Sequence, residues 1–153
     1  MTKNPTFPPP LLFIVGFALG YGLHQLWPIP VFPEGWLAIR RYLTWISLGA
    51  GILFFLWAVV TMFAAGTSPG PHSPAKALVT HGPYRFSRNP IYVAFSLVYA
   101  GIAVGRDWLW PLVFLPPVLW LLGRWIIRGE ERYLADVFGE AYQEYRQKVR
   151  RWL

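Results

Sequence analysis

Two stretches of this sequence gather side chains whose types and spacing could do chemistry. The first is Lys76-Ala-Leu-Val-Thr-His-Gly-Pro-Tyr-Arg-Phe-Ser-Arg-Asn-Pro-Ile-Tyr92, in which Gly82, Pro83 and Pro90 surround Arg85 and Arg88. Gly and Pro hold a backbone in a set turn, and such a turn can direct its N–H groups at a ligand. The second is Arg128-Gly-Glu-Glu-Arg132, where two acids stand side by side between basic residues. Each stretch has a plain structural explanation. Arg85 and Arg88 could anchor the chain at the cytoplasmic face of a membrane, and Glu130 and Glu131 could complement a helix N-terminus. Neither explanation accounts for a rigid turn, arginines and paired acids coinciding beside apolar runs, where ionisable groups are functional candidates. On spacing alone the two readings weigh evenly.

Other chemistries are thinly supported. His24, His72 and His81 lack metal-ligand spacing and the chain contains no Cys, so no metal site, disulfide or thiol nucleophile is expected. Neither a G-x-G-x-x-G dinucleotide fingerprint nor a G-x-S-x-G nucleophile elbow is present.

The elements that must position these residues are apolar. Of 153 residues, 55% are hydrophobic, 18% aromatic and only 14% charged, against roughly 25% charged in soluble domains. Mean hydropathy is +0.36. A net charge of +7 in so apolar a chain points to an anionic membrane surface rather than to nucleic acid. A bilayer core about 30 Å thick needs roughly 20 apolar residues per helix. Four runs meet this expectation, at residues 11–27, 42–65, 89–105 and 108–127, within one domain covering 1–153. Pro116 and Pro117 interrupt the fourth, which predicts a kink there or a helix end. Gly16-xxx-Gly20 and Gly101-xxx-Gly105 suit close helix packing within the bundle. Gly66 to Pro74 reads as a turn-rich loop.

The N-terminal run lacks a signal-peptide pattern and is expected to remain in place. Four spans put both termini and the middle loop on one side. That side holds Lys3, Lys76, Arg85, Arg88 and all basic residues from Arg124 onward, leaving only Arg40, Arg41 and Arg106 opposite. Both termini are therefore expected to be cytoplasmic, in an inner or cytoplasmic membrane. After Arg128, residues Leu134, Val137, Phe138, Ala141, Tyr145, Val149 and Trp152 recur at helical steps. This predicts an amphipathic cytoplasmic helix, broken near Gly139, that either lies on the membrane face or covers a site between the spans. The expected fold is all-α: a bundle of four transmembrane helices with that helix at its end.

The two polar stretches, together with the C-terminal segment, carry a resemblance. Leu78-Val-Thr-His-Gly-Pro-Tyr-Arg-Phe-Ser-Arg-Asn-Pro-Ile-Tyr92, then Glu130-Glu131-x-x-Leu134-x-x-x-Phe138-Gly139-x-x-Tyr142-x-x-Tyr145-x-x-x-Val149, resembles the isoprenylcysteine carboxyl methyltransferase and phospholipid methyltransferase family. The likeness covers residues 76–153. It implies an integral membrane methyltransferase that uses S-adenosylmethionine, with S-adenosylhomocysteine as product, and holds the cofactor in the 76–153 part outside any Rossmann fold. In the family the Arg of an Arg-His-Pro or Arg-Asn-Pro element and the Glu pair lie at the reaction centre. Carried over, the catalytic group is Arg88, Glu130 and Glu131. The cofactor-binding group comprises Lys76, Leu78, Val79, Thr80, His81, Gly82 and Tyr84 of the turn, Arg88, Asn89, Pro90 and Tyr92 after it, and Glu130, Tyr142 and Tyr145. Many relatives have His where this chain has Asn89, so a histidine-based role at that position is unavailable here.

Methyl transfer is an in-line displacement at a carbon already activated by sulfonium, so the protein has mainly to align the partners and exclude water. Arg88 suits a carboxylate, either the cofactor's or the acceptor's. Glu130 or Glu131 could meet the cofactor's ammonium, hold Arg88 in order, or act as base for an amine or thiol. The expected partners are membrane lipids and a lipophilic or small methyl acceptor, with no nucleic acid. Two other readings stand beside this one. Membrane sterol reductases that use NADPH carry a similar Arg-His-Pro-x-Tyr element, and a non-catalytic membrane scaffold would keep the fold without turnover.

Overall fold

The computed structural model describes residues 8–69 and 74–153. Lys3 and His72, with the loop residues Gly70 to Ser73, lie outside the described residues. Every regular element described is helical. Helix α1 spans Pro9–Leu26, α2 Leu37–Ala64, α3 Pro90–Gly105 and α4 Leu109–Leu121, and α5 (Arg128–Phe138) and α6 (Glu140–Lys148) come after them. Prolines start α1 and α3, where a missing N–H costs nothing and the fixed φ already suits a helix. A 3₁₀ turn at Gly82–Arg85 precedes α3.

Helix α2 lies along α3 and α1 along α4, while α3 also contacts α4. Glycines set these approaches. A Cβ on Gly20 would come within 2.5 Å of the Pro111 Cα, and one on Gly101 within 3.0 Å of the Leu48 side chain. The small-residue pairs therefore serve packing within the chain, as their spacing suggests. Large apolar side chains such as Ile14, Trp45, Leu53, Val60, Phe63, Trp120 and Trp125 point outward. Helices α1 and α2 and the run from Leu109 to Phe138 are long and apolar enough to cross a membrane. The molecule is an integral membrane protein.

Three expectations about boundaries change. Helix α2 starts at Leu37 rather than 42 and takes in Arg40 and Arg41. Helix α3 has 16 residues, about 24 Å at helical rise, so it is shorter than α2 and than the continuous run from Leu109 to Phe138. The helix that carries the expected fourth span, 108–127, ends neither at Pro116-Pro117 nor at residue 127. The two prolines leave the carbonyls of Leu112 and Val113 without their usual N–H partners, yet the helix runs on through them. Beyond them, Leu122–Ile127 winds as a π-helix and joins α5 without a break. The break comes at Gly139, whose φ of 53° is in the region that glycine tolerates.

Candidate functional site

The site lies where α3 begins. The chain approaches through the Gly82–Arg85 turn, whose Gly82 has φ of 61° and sits against Thr61 of α2. Pro83 and Tyr84 are buried and Arg85 is turned outward. Arg85 lies 4.6 Å over the Phe86 ring, an exposed cation–π contact. Further along, at the mouth of α3, Arg88 points inward. The 3₁₀ turn thus separates two arginines that look alike in the sequence.

Arg88 meets the acids across the bundle. Its Nη1 is 3.0 Å from Glu131 Oε1, and both side chains are only 11% exposed. The π-helical winding before α5 affects this meeting, because an extra residue in a turn rotates everything after it around the helix axis. Glu130 takes a different partner: its Oε1 accepts a 2.8 Å hydrogen bond from the Tyr92 hydroxyl. The two adjacent acids are therefore not equivalent. Glu131 belongs to an arginine cluster, and Glu130 to a tyrosine on α3.

The C-terminal segment, whose basic residues suit membrane anchoring, also enters the site. Arg151 donates to both oxygens of Glu131, from Nε at 3.0 Å and from Nη2 at 2.6 Å. Its backbone carbonyl accepts from Ser87 Oγ at 3.1 Å and from Asn89 Nδ2 at 3.0 Å. The Arg150 carbonyl accepts the backbone N–H of Arg88 at 2.9 Å. Trp152 packs on the core formed by Phe13, Tyr92, Tyr99, Val118 and the π-helical segment. Ser87, Arg150 and Arg151 escape a reading of the sequence because the arginines pass for solvated positive charge at a membrane face. The signal available is stoichiometric: two acids beside an excess of arginines, with few other partners in an apolar chain.

The floor of the site is aromatic. Tyr142 is almost fully buried, with its hydroxyl 3.5 Å from Arg88 Nη1. Tyr145 donates a 2.6 Å hydrogen bond to the Tyr84 carbonyl. Both pack with Tyr84, Val79 and Ala58, and Leu78 borders the cluster. Burial raises the pKa of Tyr84 and of Tyr145 above the ordinary value of 10.0, so both phenols stay protonated. Lys76, Thr80 and His81 are exposed. Lys76 instead borders a cleft of about 540 Å³ with Phe63, Gly66, Thr67, Ser68 and Pro74. The structure thus brings Arg88, Asn89, Tyr92, Glu130, Glu131 and Tyr142 together and stands Tyr84, Val79 and Tyr145 beneath them, and it leaves Lys76, Thr80 and His81 outside that cluster.

One polar atom of the cluster is unspent: Arg88 Nε is buried without a hydrogen-bond partner. A buried guanidinium N–H left unpaired is costly, and an anion offered to that edge would satisfy it. The cluster fits a ligand bearing a carboxylate. It holds no group of three or more metal-binding side chains among the described residues.

A family model described as phospholipid methyltransferase matches residues 39–141. A protein-S-isoprenylcysteine O-methyltransferase of Schizosaccharomyces pombe is 36% identical over 72 residues, which is 47% of this chain and 30% of that protein. A probable protein-S-isoprenylcysteine O-methyltransferase of Oryza sativa subsp. indica is 39% identical over 72 residues, 47% of this chain and 38% of that protein. An uncharacterized protein of Haemophilus influenzae is 41% identical over 46 residues, covering 30% of this chain and 67% of its own length. The matched segment spans about a third of the yeast and plant relatives. No solved structure matches significantly.

Proposed function

The chain belongs to the phospholipid methyltransferase family, and from that premise we propose that it is a membrane methyltransferase that uses S-adenosylmethionine and methylates a lipophilic or small acceptor. The observation that carries this reading is the unpaired, buried Arg88 Nε in an Arg88–Glu131–Arg151 cluster whose Arg151 is partly exposed. Two guanidinium groups share the Glu131 carboxylate while Glu130 is engaged by Tyr92, and that excess of donors over acceptors at Glu131 suits one more anion. The cofactor's methionine carboxylate meets that requirement whatever the acceptor is. The residues that would hold it are Arg88 and Tyr142, with the turn from Lys76 to Tyr84, Asn89, Pro90 and Tyr92 along one side and Tyr145 beneath.

When bound, the cofactor supplies a methyl carbon activated by its sulfonium. The chain's own residues do the rest. Arg88 fixes one end of the ligand, Glu131 keeps Arg88 from swinging away, and the buried tyrosines exclude water. Glu130, turned toward Tyr92, is placed to meet the ligand's ammonium or to take a proton from an amine or thiol acceptor. A carboxylate acceptor needs no base. An isoprenylcysteine carboxylate, a lipid amine and a thiol are the acceptor classes in view; of these, the names of the family and of the yeast relative speak of phospholipid and of isoprenylcysteine O-methylation.

In the membrane we read four spans, α3 crossing as the short central helix between α2 and α4 with the polar residues at its start closing the distance. Residues 76–153 form the cofactor-binding part of a single domain. Helices α5 and α6 close it on the cytoplasmic side as the amphipathic end of the chain. Both termini then face the cytoplasm.

The test is methyl transfer from radiolabelled cofactor into membrane lipid extracts and small thiols. Arg88→Ala and Glu131→Ala are expected to abolish transfer in protein that still melts cooperatively. Full activity in both variants overturns the assignment. Calorimetry in detergent adds a second check: S-adenosylhomocysteine should bind, and binding of NADPH instead would indicate a reductase.

A further inference from the structure

We infer that Arg151 is a positioning residue: it occupies both oxygens of Glu131 so that the Arg88 guanidinium stays available to a ligand carboxylate. This rests on the proposed role of Arg88 as the carboxylate receptor. The two arginines hold Glu131 unequally. Arg151 presents a side-on fork, Nε to Oε1 at 3.0 Å and Nη2 to Oε2 at 2.6 Å, both as hydrogen bonds. Arg88 makes a single ion-pair contact through Nη1 at 3.0 Å, and its Nε has no partner.

The physical consequence lies in what each group would do alone. A carboxylate and a guanidinium left together close into a bidentate pair, because two parallel charge-assisted bonds are the strongest arrangement available to them. Without Arg151, Glu131 would close on Arg88 in that way. The pair would be neutral, and the edge that now carries an unspent N–H would be consumed. Arg151 prevents this by taking the bidentate position itself and leaving Arg88 with surplus charge.

The segment that carries Arg151 is fixed independently of that side chain. The Arg150 and Arg151 carbonyls accept from Arg88 N, Ser87 Oγ and Asn89 Nδ2, and Trp152 is packed on the core. Truncating the Arg151 side chain therefore spares the backbone contacts that hold the turn at residues 87–89. A side-chain variant reads the charge arrangement rather than the attachment of the segment.

The experiment compares two probes in detergent-solubilised protein, with thermal melting as a check on folding. S-adenosylhomocysteine carries the carboxylate; 5′-methylthioadenosine shares its nucleoside and thioether but lacks that group. Arg151→Ala is expected to weaken S-adenosylhomocysteine binding by about tenfold or more, the scale of one charge-assisted contact, and to leave methylthioadenosine binding within about twofold. Arg151→Lys, which keeps the charge but not the fork, should recover part of the loss. Unchanged S-adenosylhomocysteine affinity in Arg151→Ala overturns the inference. So does an equal loss for both probes, which marks a merely structural role. If the unaltered protein fails to bind S-adenosylhomocysteine, the proposed function itself falls, and this outcome is distinct from the others. If Arg151→Ala does not fold, Arg151→Lys decides alone: it should bind S-adenosylhomocysteine more weakly than the unaltered protein, and affinity equal to it overturns the inference.

Discussion

Helix α3 ends in an acid cluster and begins beside another, and the two are built differently. At its far end, Asp107 Oδ1 accepts the backbone N–H groups of Val31 at 2.8 Å and Phe32 at 3.1 Å. Its Oδ2 receives Arg40 at 3.0 Å. One acid meets one arginine, both oxygens are used, and the links tie the loop after α1 to the end of α3. Asp107 holds φ of 60° to do this, a conformation that costs a non-glycine residue energy and persists where the surroundings fix it. At the near end, two arginines share Glu131, and one of them retains a buried donor without a partner. Charge and donor balance therefore distinguish a staple from the proposed receptor, where residue type alone does not.

The largest effect expected of this contrast is on turnover. Arg88→Ala should lower kcat/KM for methyl transfer by at least about 100-fold, a loss of about 3 kcal/mol in transition-state stabilisation. Arg40→Ala, which removes the arginine of the other cluster, should leave kcat/KM within about twofold. Radiolabelled transfer into lipid extract measures both. Comparable losses in the two variants would erase the distinction between the ends.

Much of this architecture is legible in the sequence because membrane spans are written in composition. Runs free of charge have one physical explanation, and the break at Gly139 comes from a glycine inside an amphipathic pattern. The meeting of Arg88 with Glu131 is legible only through resemblance, since nothing local links residues so far apart in the chain. The part played by Arg150 and Arg151 is legible only as an excess of arginines over acids, which does not single them out. It depends on the chain returning to the turn before α3, and two arginines near a membrane face already have a sufficient explanation. The π-helical winding at Leu122–Ile127 is equally hidden, because no residue pattern in Leu-Gly-Arg-Trp-Ile-Ile announces it. The paired prolines leave a kink and a helix end both open in the sequence, and of the two it is the helix end that the continuous helix removes, because in a bundle the freed carbonyls need not end it.

The staple should matter to stability and not to the ligand. Asp107→Ala removes the contacts to Val31, Phe32 and Arg40, the last a partly exposed arginine, and should lower unfolding free energy by about 2 kcal/mol. Affinity for S-adenosylhomocysteine should stay within about twofold. Thermal melting beside calorimetry reads both, and a large loss of affinity would mean that the two ends are coupled through α3.

The frame between the ends offers a finer test. Gly20→Ala drives a Cβ to within 2.5 Å of the Pro111 backbone, whereas nothing lies within 4 Å of a Cβ at Gly22. The first should destabilise by about 1–3 kcal/mol through overpacking. The second should be neutral or stabilising by up to about 1 kcal/mol, as expected for Gly replaced in a helix. Equal melting temperatures would show that α1 and α4 can separate without consequence.

The smallest effect belongs to the floor beneath the receptor. Tyr145→Phe deletes the hydroxyl that donates to the Tyr84 carbonyl at 2.6 Å, and should cost about 1 kcal/mol. The pH dependence of that cost has a definite sign. Burial raises the folded-state pKa of Tyr145 above the ordinary 10.0, so its contribution is complete below the unfolded value and is lost only as pH rises through the folded one. The stability difference between the variant and the unaltered protein should therefore be constant from about pH 6 to about pH 9. A difference that shrank across this range would mean that Tyr145 ionises there, and that the charge at the near end of α3 reaches beyond Arg88, Glu131 and Arg151 into the tyrosines below.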